Sequence, residues 1–90
     1  MTNNIKDELT YLIQEGMDCR TKELHNFALP YIRGSLLNEW MQKCKDFLNN
    51  NFKLSNANVE FCKENNYQSG GIELKRFDIL IKLLKDLFGV

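Results

Sequence analysis

The side chains with the greatest catalytic potential in this sequence are one histidine and three cysteines, and their spacing favours structural roles. His25 has no carboxylate and nucleophile arranged around it in the sequence, so we expect it to face solvent near a helix end. Cys19, Cys44 and Cys62 are odd in number and spaced for neither a disulfide framework nor a zinc site. Each stands where an apolar residue would fit, without a cationic cluster nearby, so we expect burial rather than reactivity. The sequence therefore predicts no catalytic residue, no metal ligand and no cofactor.

Two further sequence features, the glycine pair at positions 70 and 71 and Trp40, favour structural roles over ligand binding. Gly70 and Gly71 precede a helical pattern, as in a phosphate-binding loop, but the strand before them and the lysine signature after them are missing. We interpret the pair as a turn, with both glycines free to adopt positive φ. Trp40 lies at the centre of the most regular amphipathic segment, so we expect it to pack in the core rather than to stack on a ligand.

Three charged residues are candidates for polar contacts with a partner: Arg33, Glu73 and Arg76. Glu73 and Arg76 interrupt an apolar arc at the start of the final helix, where their spacing favours a surface pair and leaves a contact to a partner as the alternative. Arg33 would project from the apolar face of the second helix if that helix begins at Pro30. An arginine there would need a carboxylate or carbonyl partner.

The segments that carry these residues all have the sequence pattern of helices. Asn4 is a suitable cap for a first helix that begins at Ile5, has Asp7 and Glu8 in its first turn, and runs to about Arg20 or on to His25. Gly16 lies on the apolar face of this helix, where the missing side chain would let another helix approach closely. We therefore expect a long amphipathic helix at the start of the chain.

The second helix starts either after Ser35, a suitable N-cap, or at Pro30, which is equally acceptable in a first turn. It ends in the run Asn49, Asn50 and Asn51, in which Asn51 is a candidate left-handed cap. Ser55 or Asn56 can cap a short helix, and residues 67–71 read as a loop. No segment reads as a strand, so we predict an all-α, compact bundle of four to five helices with one short helix.

The final helix, residues 72–88, is unusually apolar. Its charged side chains fall within about 100° of arc and apolar side chains fill roughly the opposite 220°; the charged set is Lys75, Asp78, Lys82, Lys85 and Asp86. The middle of the apolar arc should face Leu12, Trp40 and Phe47, and Gly89 should end the helix. An arc this wide has two flanks, and the one that other helices leave uncovered would be an interface. The candidate interface residues are Ile72, Leu74, Phe77, Ile79, Ile81, Leu83 and Phe88.

Length, composition and charge bound the remaining possibilities. Ninety residues, 43% hydrophobic and 27% charged, predict a single globular domain spanning residues 1–90. The chain stops two residues after Phe88 without a polar tail, as expected of a domain excised from a larger protein. A formal net charge of 0 argues against nucleic-acid and membrane partners, which draw on clustered basic residues. With free cysteines, no signal segment and no long apolar run, we expect a soluble, cytoplasmic protein.

Three stretches together resemble a known family: LIQEGMDCRTKEL, YIRGSLLNEWMQKCKDFLNNNF and FCKENNYQSGGIELKRFDILIKLL. They are similar to the small helical region before the effector domain in some bacterial anti-phage and abortive-infection proteins, including those with TIR-like nucleotide-binding effectors. The pattern has a glycine at the place of Gly16, a tryptophan helix like that of Trp40, and a loop before a leucine-rich helix. This sequence departs from it at Asn51, where an apolar residue is expected, and it contains no catalytic part. The resemblance implies a scaffold or oligomerisation module rather than an enzyme.

The function that follows is protein–protein contact. We expect a non-catalytic interaction or oligomerisation module that binds another protein or itself, as the N-terminal part of a bacterial defence protein. The alternative is a small stand-alone binder or inhibitor encoded by a mobile element. A helix-turn-helix nucleic-acid binder is a third reading, disfavoured because no basic recognition helix is present.

Overall fold

Helices make up most of the chain in a computed structural model, which describes the backbone of residues 2–87 and the side chains of residues 4–87. Within this part, five helices occur: α1 Thr2–Lys22, α2 Ser35–Asn51, α3 Asn56–Cys62, α4 Tyr67–Gly70 and α5 Leu74–Asp86. Three short strands also occur: β1 Leu24–His25, β2 Tyr31–Ile32 and β3 Ile72–Glu73. The predominantly helical prediction is confirmed, but the prediction of an all-α chain without strands is wrong.

The three strands form a small antiparallel sheet in the order β1-β2-β3. Cross-strand partners project to the same side of a sheet. One side therefore carries Leu24, Ile32 and Ile72, and the other carries His25, Tyr31 and Glu73. The first side faces the core, where Ile32 and Ile72 are almost completely buried. Two-residue strands are too short to show an alternating pattern, which explains why the sequence did not predict them.

Trp40 on α2 is the centre of the core. Its ring lies 5.7 Å from the ring of Phe61 on α3 and 5.0 Å from that of Phe77 on α5, measured between centroids. Its indole Nε1 donates a hydrogen bond of 2.7 Å to the carbonyl oxygen of Leu12 on α1. One buried side chain thus joins four helices and satisfies its only polar group. The predicted core position of Trp40 is confirmed.

Gly16 allows α1 to approach both α2 and α5. A Cβ atom at this position would lie 2.6 Å from Ile81 and 2.7 Å from Trp40, closer than van der Waals contact permits. The glycine is therefore required by packing, as its place on the apolar face predicted.

Several helix boundaries differ from those expected. α1 begins at Thr2 rather than Ile5, so Asn4 is not its cap and its first turn contains no acidic residue. It ends at Lys22, between the two ends considered. α2 begins at Ser35, which excludes Pro30 from the helix, and its cap position is Gly34, so the prediction of Ser35 as the cap is wrong.

The connections after α2 also depart from prediction in part. Asn51 is the last residue of α2, and no described residue other than glycine has positive φ, so the left-handed cap is wrong. The side chain of Asn51 instead donates to the carbonyl oxygen of Phe47. Ser55 caps α3 as predicted, with its side chain accepting from the backbone N–H of Asn58. The expected loop at residues 67–71 contains α4.

The final helix is shorter at its start than expected. The chain enters it through β3, so α5 begins at Leu74 because Ile72 pairs with Ile32 in the sheet. The expected cap at Gly89 lies outside the described residues. Among the described helices, none combines the length and apolar character that a membrane span requires.

Candidate protein-interaction surfaces

Residues 24–32 form a hairpin that leaves apolar side chains in solvent. They comprise β1, β2 and the turn between them, and none of the nine carries a formal charge at neutral pH. Phe27 is 71% exposed and Leu29 is 68% exposed. We refer to residues 24–32 as the aromatic hairpin.

Three rings are stacked along this hairpin. The ring centroid of Tyr31 lies 4.9 Å from that of His25, with planes inclined by 12°, and 6.3 Å from that of Phe27, with planes inclined by 19°. Nε2 of His25 is also 3.2 Å from the carbonyl oxygen of Arg33. These contacts order the exposed rings, so the surface is preformed rather than a set of loose side chains.

Glu23 fixes the base of the aromatic hairpin. Its carbonyl oxygen accepts from the backbone N–H of Arg33 at 3.1 Å, which closes the hairpin. Its carboxylate accepts from the N–H groups of Leu36 at 3.1 Å and Leu37 at 2.8 Å, in the first turn of α2. A carboxylate there satisfies otherwise unpaired donors and interacts favourably with the helix dipole. A side chain on Gly34 would occupy the place of this carboxylate, which explains the glycine.

Arg33 does not lie on the apolar face of α2, where a helix start at Pro30 would have placed it. It lies between β2 and α2 and is exposed, because α2 does not extend back to Pro30. Its guanidinium has no hydrogen-bond or ion-pair partner within residues 4–87. It therefore remains available as a polar contact beside the aromatic hairpin.

The charged stripe of α5 is confirmed, since all five of its residues are exposed.

The residues of the candidate interface fall into a buried group and a more exposed group. Ile72, Phe77 and Ile81 are at most 5% exposed and belong to the core, so they are removed from the candidate interface. Leu74 and Leu83 are half-buried, and Ile79 is 49% exposed. Phe88 lies outside the described residues.

The covered side of α5 is the one that faces α1. Ile81 fits against Gly16, and Arg20 on α1 forms an ion pair of 2.8 Å with Asp78. The opposite flank, which carries Ile79 and Leu83, is the side left more open to solvent.

The expected pair between Glu73 and Arg76 does not form. The guanidinium of Arg76 instead contacts Glu64 at 2.7 Å and the carboxylate of Glu60 at 2.9 Å. Hydrogen bonds from Lys63 and Arg76 lower the pKa of Glu60 below its ordinary value. Arg76 thus links α5 to Glu60 in α3 and to Glu64 just after that helix. Glu73, in β3, is exposed, and its carboxylate has no partner within residues 4–87.

The cysteines differ in burial. Cys19 and Cys44 are buried as predicted, but Cys62 is exposed because α3 buries its other face, through Ala57 and Phe61. Burial, reinforced by the nearby carboxylates of Glu23 and Glu15, raises the pKa of Cys19 to about 12. Burial also raises the pKa of Cys44. Both groups are neutral thiols at pH 7 and are therefore poor nucleophiles.

The aromatic hairpin is the surface that sequence reasoning missed. The available signal was a run of nine uncharged residues that contains Phe27, Leu29 and Tyr31. Within residues 4–87, no three His, Cys, Asp or Glu side chains converge into a group able to hold a metal ion. A scan against protein-family models and searches of curated proteins and solved structures gave no match to this chain.

Proposed function

We propose that this chain is a non-catalytic helical module that acts through protein–protein contact, with the aromatic hairpin as its main contact surface. The exposure of Phe27 and Leu29 on an uncharged hairpin is the observation that supports this most directly. Contiguous exposed apolar residues are often functional, and aromatic side chains are enriched where binding energy is concentrated. Burial and a raised pKa argue against Cys19 and Cys44 as nucleophiles.

The ordering of the hairpin also favours binding. Its rings are already stacked and its base is already held by Glu23, so little conformational freedom remains to be lost when a partner binds. Arg33, exposed and unpaired within the described residues, would supply a polar contact at the rim.

The biological setting is proposed from the resemblance alone. In that setting the module lies on the N-terminal side of an effector domain in a bacterial defence protein, acts in the cytoplasm, and brings effector domains together or recruits their regulator.

A photo-reactive amino acid at position 27 tests the hairpin in cells of the source organism. We expect irradiation to give a discrete cross-linked product of fixed mass, because the side chain at position 27 would lie in contact with the bound partner. Leu29→Ser in the same chain should reduce the adduct strongly, while circular dichroism shows an unchanged fold.

Leu54 offers a matched control position. It is 96% exposed and follows α2, whereas the hairpin precedes α2, so the two positions lie beyond opposite ends of a 17-residue helix that is about 25 Å long. The photo-reactive group at position 54 should not give the same adduct. Equal adducts from both positions, or no adduct from position 27, would contradict the proposal.

A further inference from the structure

The open flank of α5 carries charges in an order that is complementary to itself when the helix is reversed. Lys75 lies in the first turn of α5 and Asp86 is its last residue. The two are eleven residues apart, or about three helical turns, so they lie on the same side of the helix. Ile79 and Leu83 lie between them, toward the open flank. We call Lys75, Ile79, Leu83 and Asp86 the α5 face.

The charged side chains on this face are exposed and make few ion pairs or hydrogen bonds within the described residues. Lys75 has no ion-pair or hydrogen-bond partner within residues 4–87. Among the described residues, the ion-pair partner of Asp86 is Lys82 of its own helix, at 3.3 Å, and both side chains are more than half exposed. Ile79 is 49% exposed although it is a large apolar residue. Both ends of the face can therefore form new ion pairs, and its middle can bury apolar surface.

We infer that a second copy of this chain packs on the α5 face, with the two α5 helices antiparallel about a two-fold axis. In that arrangement Lys75 of each copy meets Asp86 of the other, so the ion pair forms twice. Ile79 and Leu83 of both copies fill the space between the two pairs. A parallel arrangement would bring Lys75 against Lys75 and Asp86 against Asp86, which repel.

The charge order favours a second copy over an unrelated partner. A two-fold interface uses the same patch on both subunits, so the patch must be complementary to itself. Lys75 at one end, Ile79 in the middle and Asp86 at the other end meet this condition, while Lys82 lies on the edge of the face toward α1. The inference deepens the proposed function, on which it rests, by naming one partner, and it uses none of the residues of the aromatic hairpin.

The expected association is weak. A helix of 13 residues is about 20 Å long, so two such helices bury an area at the small end of the range for protein interfaces. Sedimentation equilibrium over a wide concentration range is therefore the suitable measurement. We expect the mass of the wild-type chain to rise toward that of a dimer as concentration increases.

Two charge reversals test the pairing. Lys75→Glu sets a carboxylate opposite Asp86 of the other copy, and Asp86→Lys sets an ammonium group opposite Lys75, so each variant alone should associate at least about tenfold more weakly than wild type. Each substitution places a charge of the sign that the helix dipole favours at that end, so both variants should remain folded. An equimolar mixture should recover association, because each mixed pair then contains two attractive contacts.

Lys85→Glu provides a matched control. It changes the net charge by the same amount as Lys75→Glu, but Lys85 lies on the side of α5 that faces Met17 and Arg20 of α1. It should associate like wild type. A wild-type chain that remains monomeric at the highest concentration would overturn the inference, as would a mixture that does not recover association. Neither result would affect the adduct expected from position 27, so the two proposals can fail separately.

Discussion

Gly70 and Gly71 are neighbours in the chain, but only Gly71 is under a steric constraint. Gly71 has a φ of 77°, which residues with a side chain rarely adopt. A Cβ atom there would collide with the carbonyl oxygen of Ile32 and lie 2.8 Å from Cβ of Arg33. Because the carbonyl belongs to the backbone of β2, it cannot move without disturbing the sheet. A Cβ atom on Gly70 would meet open space.

Gly71→Ala should therefore lower the free energy of unfolding by about 1–3 kcal/mol or more, because it combines an unfavourable φ with a collision. Gly70→Ala should change it by less than about 0.5 kcal/mol. Urea denaturation followed by circular dichroism measures both. Equal effects from the two substitutions would show that Gly71 is not constrained as described.

Some of these residues were predictable and others were not, for physical reasons. Gly16 and Trp40 lie on apolar helical faces whose period is visible in the sequence, and both occupy the expected positions. The difference between Gly70 and Gly71 depends on the carbonyl of Ile32, which is distant in the chain. Cys62 likewise lies beside apolar residues, yet α3 turns it toward solvent.

At the scale of elements, the start of α2 depends on a side chain from outside the helix. Gly34, in the cap position, has no side chain that could accept a hydrogen bond. The carboxylate of Glu23 performs this role from the segment that follows α1. The cap therefore also fixes the position of α1 relative to α2.

Glu23→Ala should lower the free energy of unfolding by about 1–2 kcal/mol, because it removes both acceptors from the first turn of α2. Glu23→Gln should have a smaller effect, since its amide oxygen can still accept one hydrogen bond. Faster amide hydrogen exchange at Leu36 and Leu37 would locate the effect. Glu39→Ala, at an exposed position on α2, is the control, and an equal loss of stability in both alanine variants would contradict this role for Glu23.

The sequence predicted elements to the extent that their signals are local. The apolar positions of α2 recur at helical spacing, and the residues that they predicted, including Trp40 and Cys44, are buried except for Leu36, which is 40% exposed. The cap from Glu23 and the pairing of Ile72 with Ile32 join residues distant in the chain. Local patterns cannot specify such contacts, so the strands and the true start of α5 were missed.

At the scale of the whole molecule, the three cysteine thiols differ in how accessible they are to solvent. Cys19 and Cys44 are buried within the helical core, and Cys62 is on the surface. An alkylating reagent reacts with an accessible thiolate, so both burial and a raised pKa protect the first two.

One thiol per chain should therefore be alkylated quickly in the native protein, and all three should react in denaturant. The two slow reactions should proceed only as fast as opening of the core exposes them. Mass spectrometry of timed samples gives the number of modified thiols. Cys62→Ser is the control and should remove the fast reaction; two or three fast modifications in the wild-type chain would contradict the described core.

The candidate surfaces were predicted only in part because exposure is a property of the assembled molecule. The sequence identified α5 and its two flanks, but only packing determines that α1 covers Ile81 while Ile79 remains open. The aromatic hairpin was missed because residues 24–32 read as a junction between helices. Its rings become a surface only when β1 and β2 pair.

The closed base of the hairpin also affects how this chain can change over evolutionary time. The backbone hydrogen bond from Arg33 to Glu23 joins the ends of the segment and involves no side chain of the turn. Because the entropic cost of closing a loop rises slowly with length, the turn between β1 and β2 should tolerate substitution and even insertion while α1 and α2 remain packed. If the aromatic hairpin is the contact surface proposed above, substitutions in this turn would change what it binds at little cost in stability. Ile32 of the same hairpin belongs to the core, so this freedom is confined to the turn between the two strands.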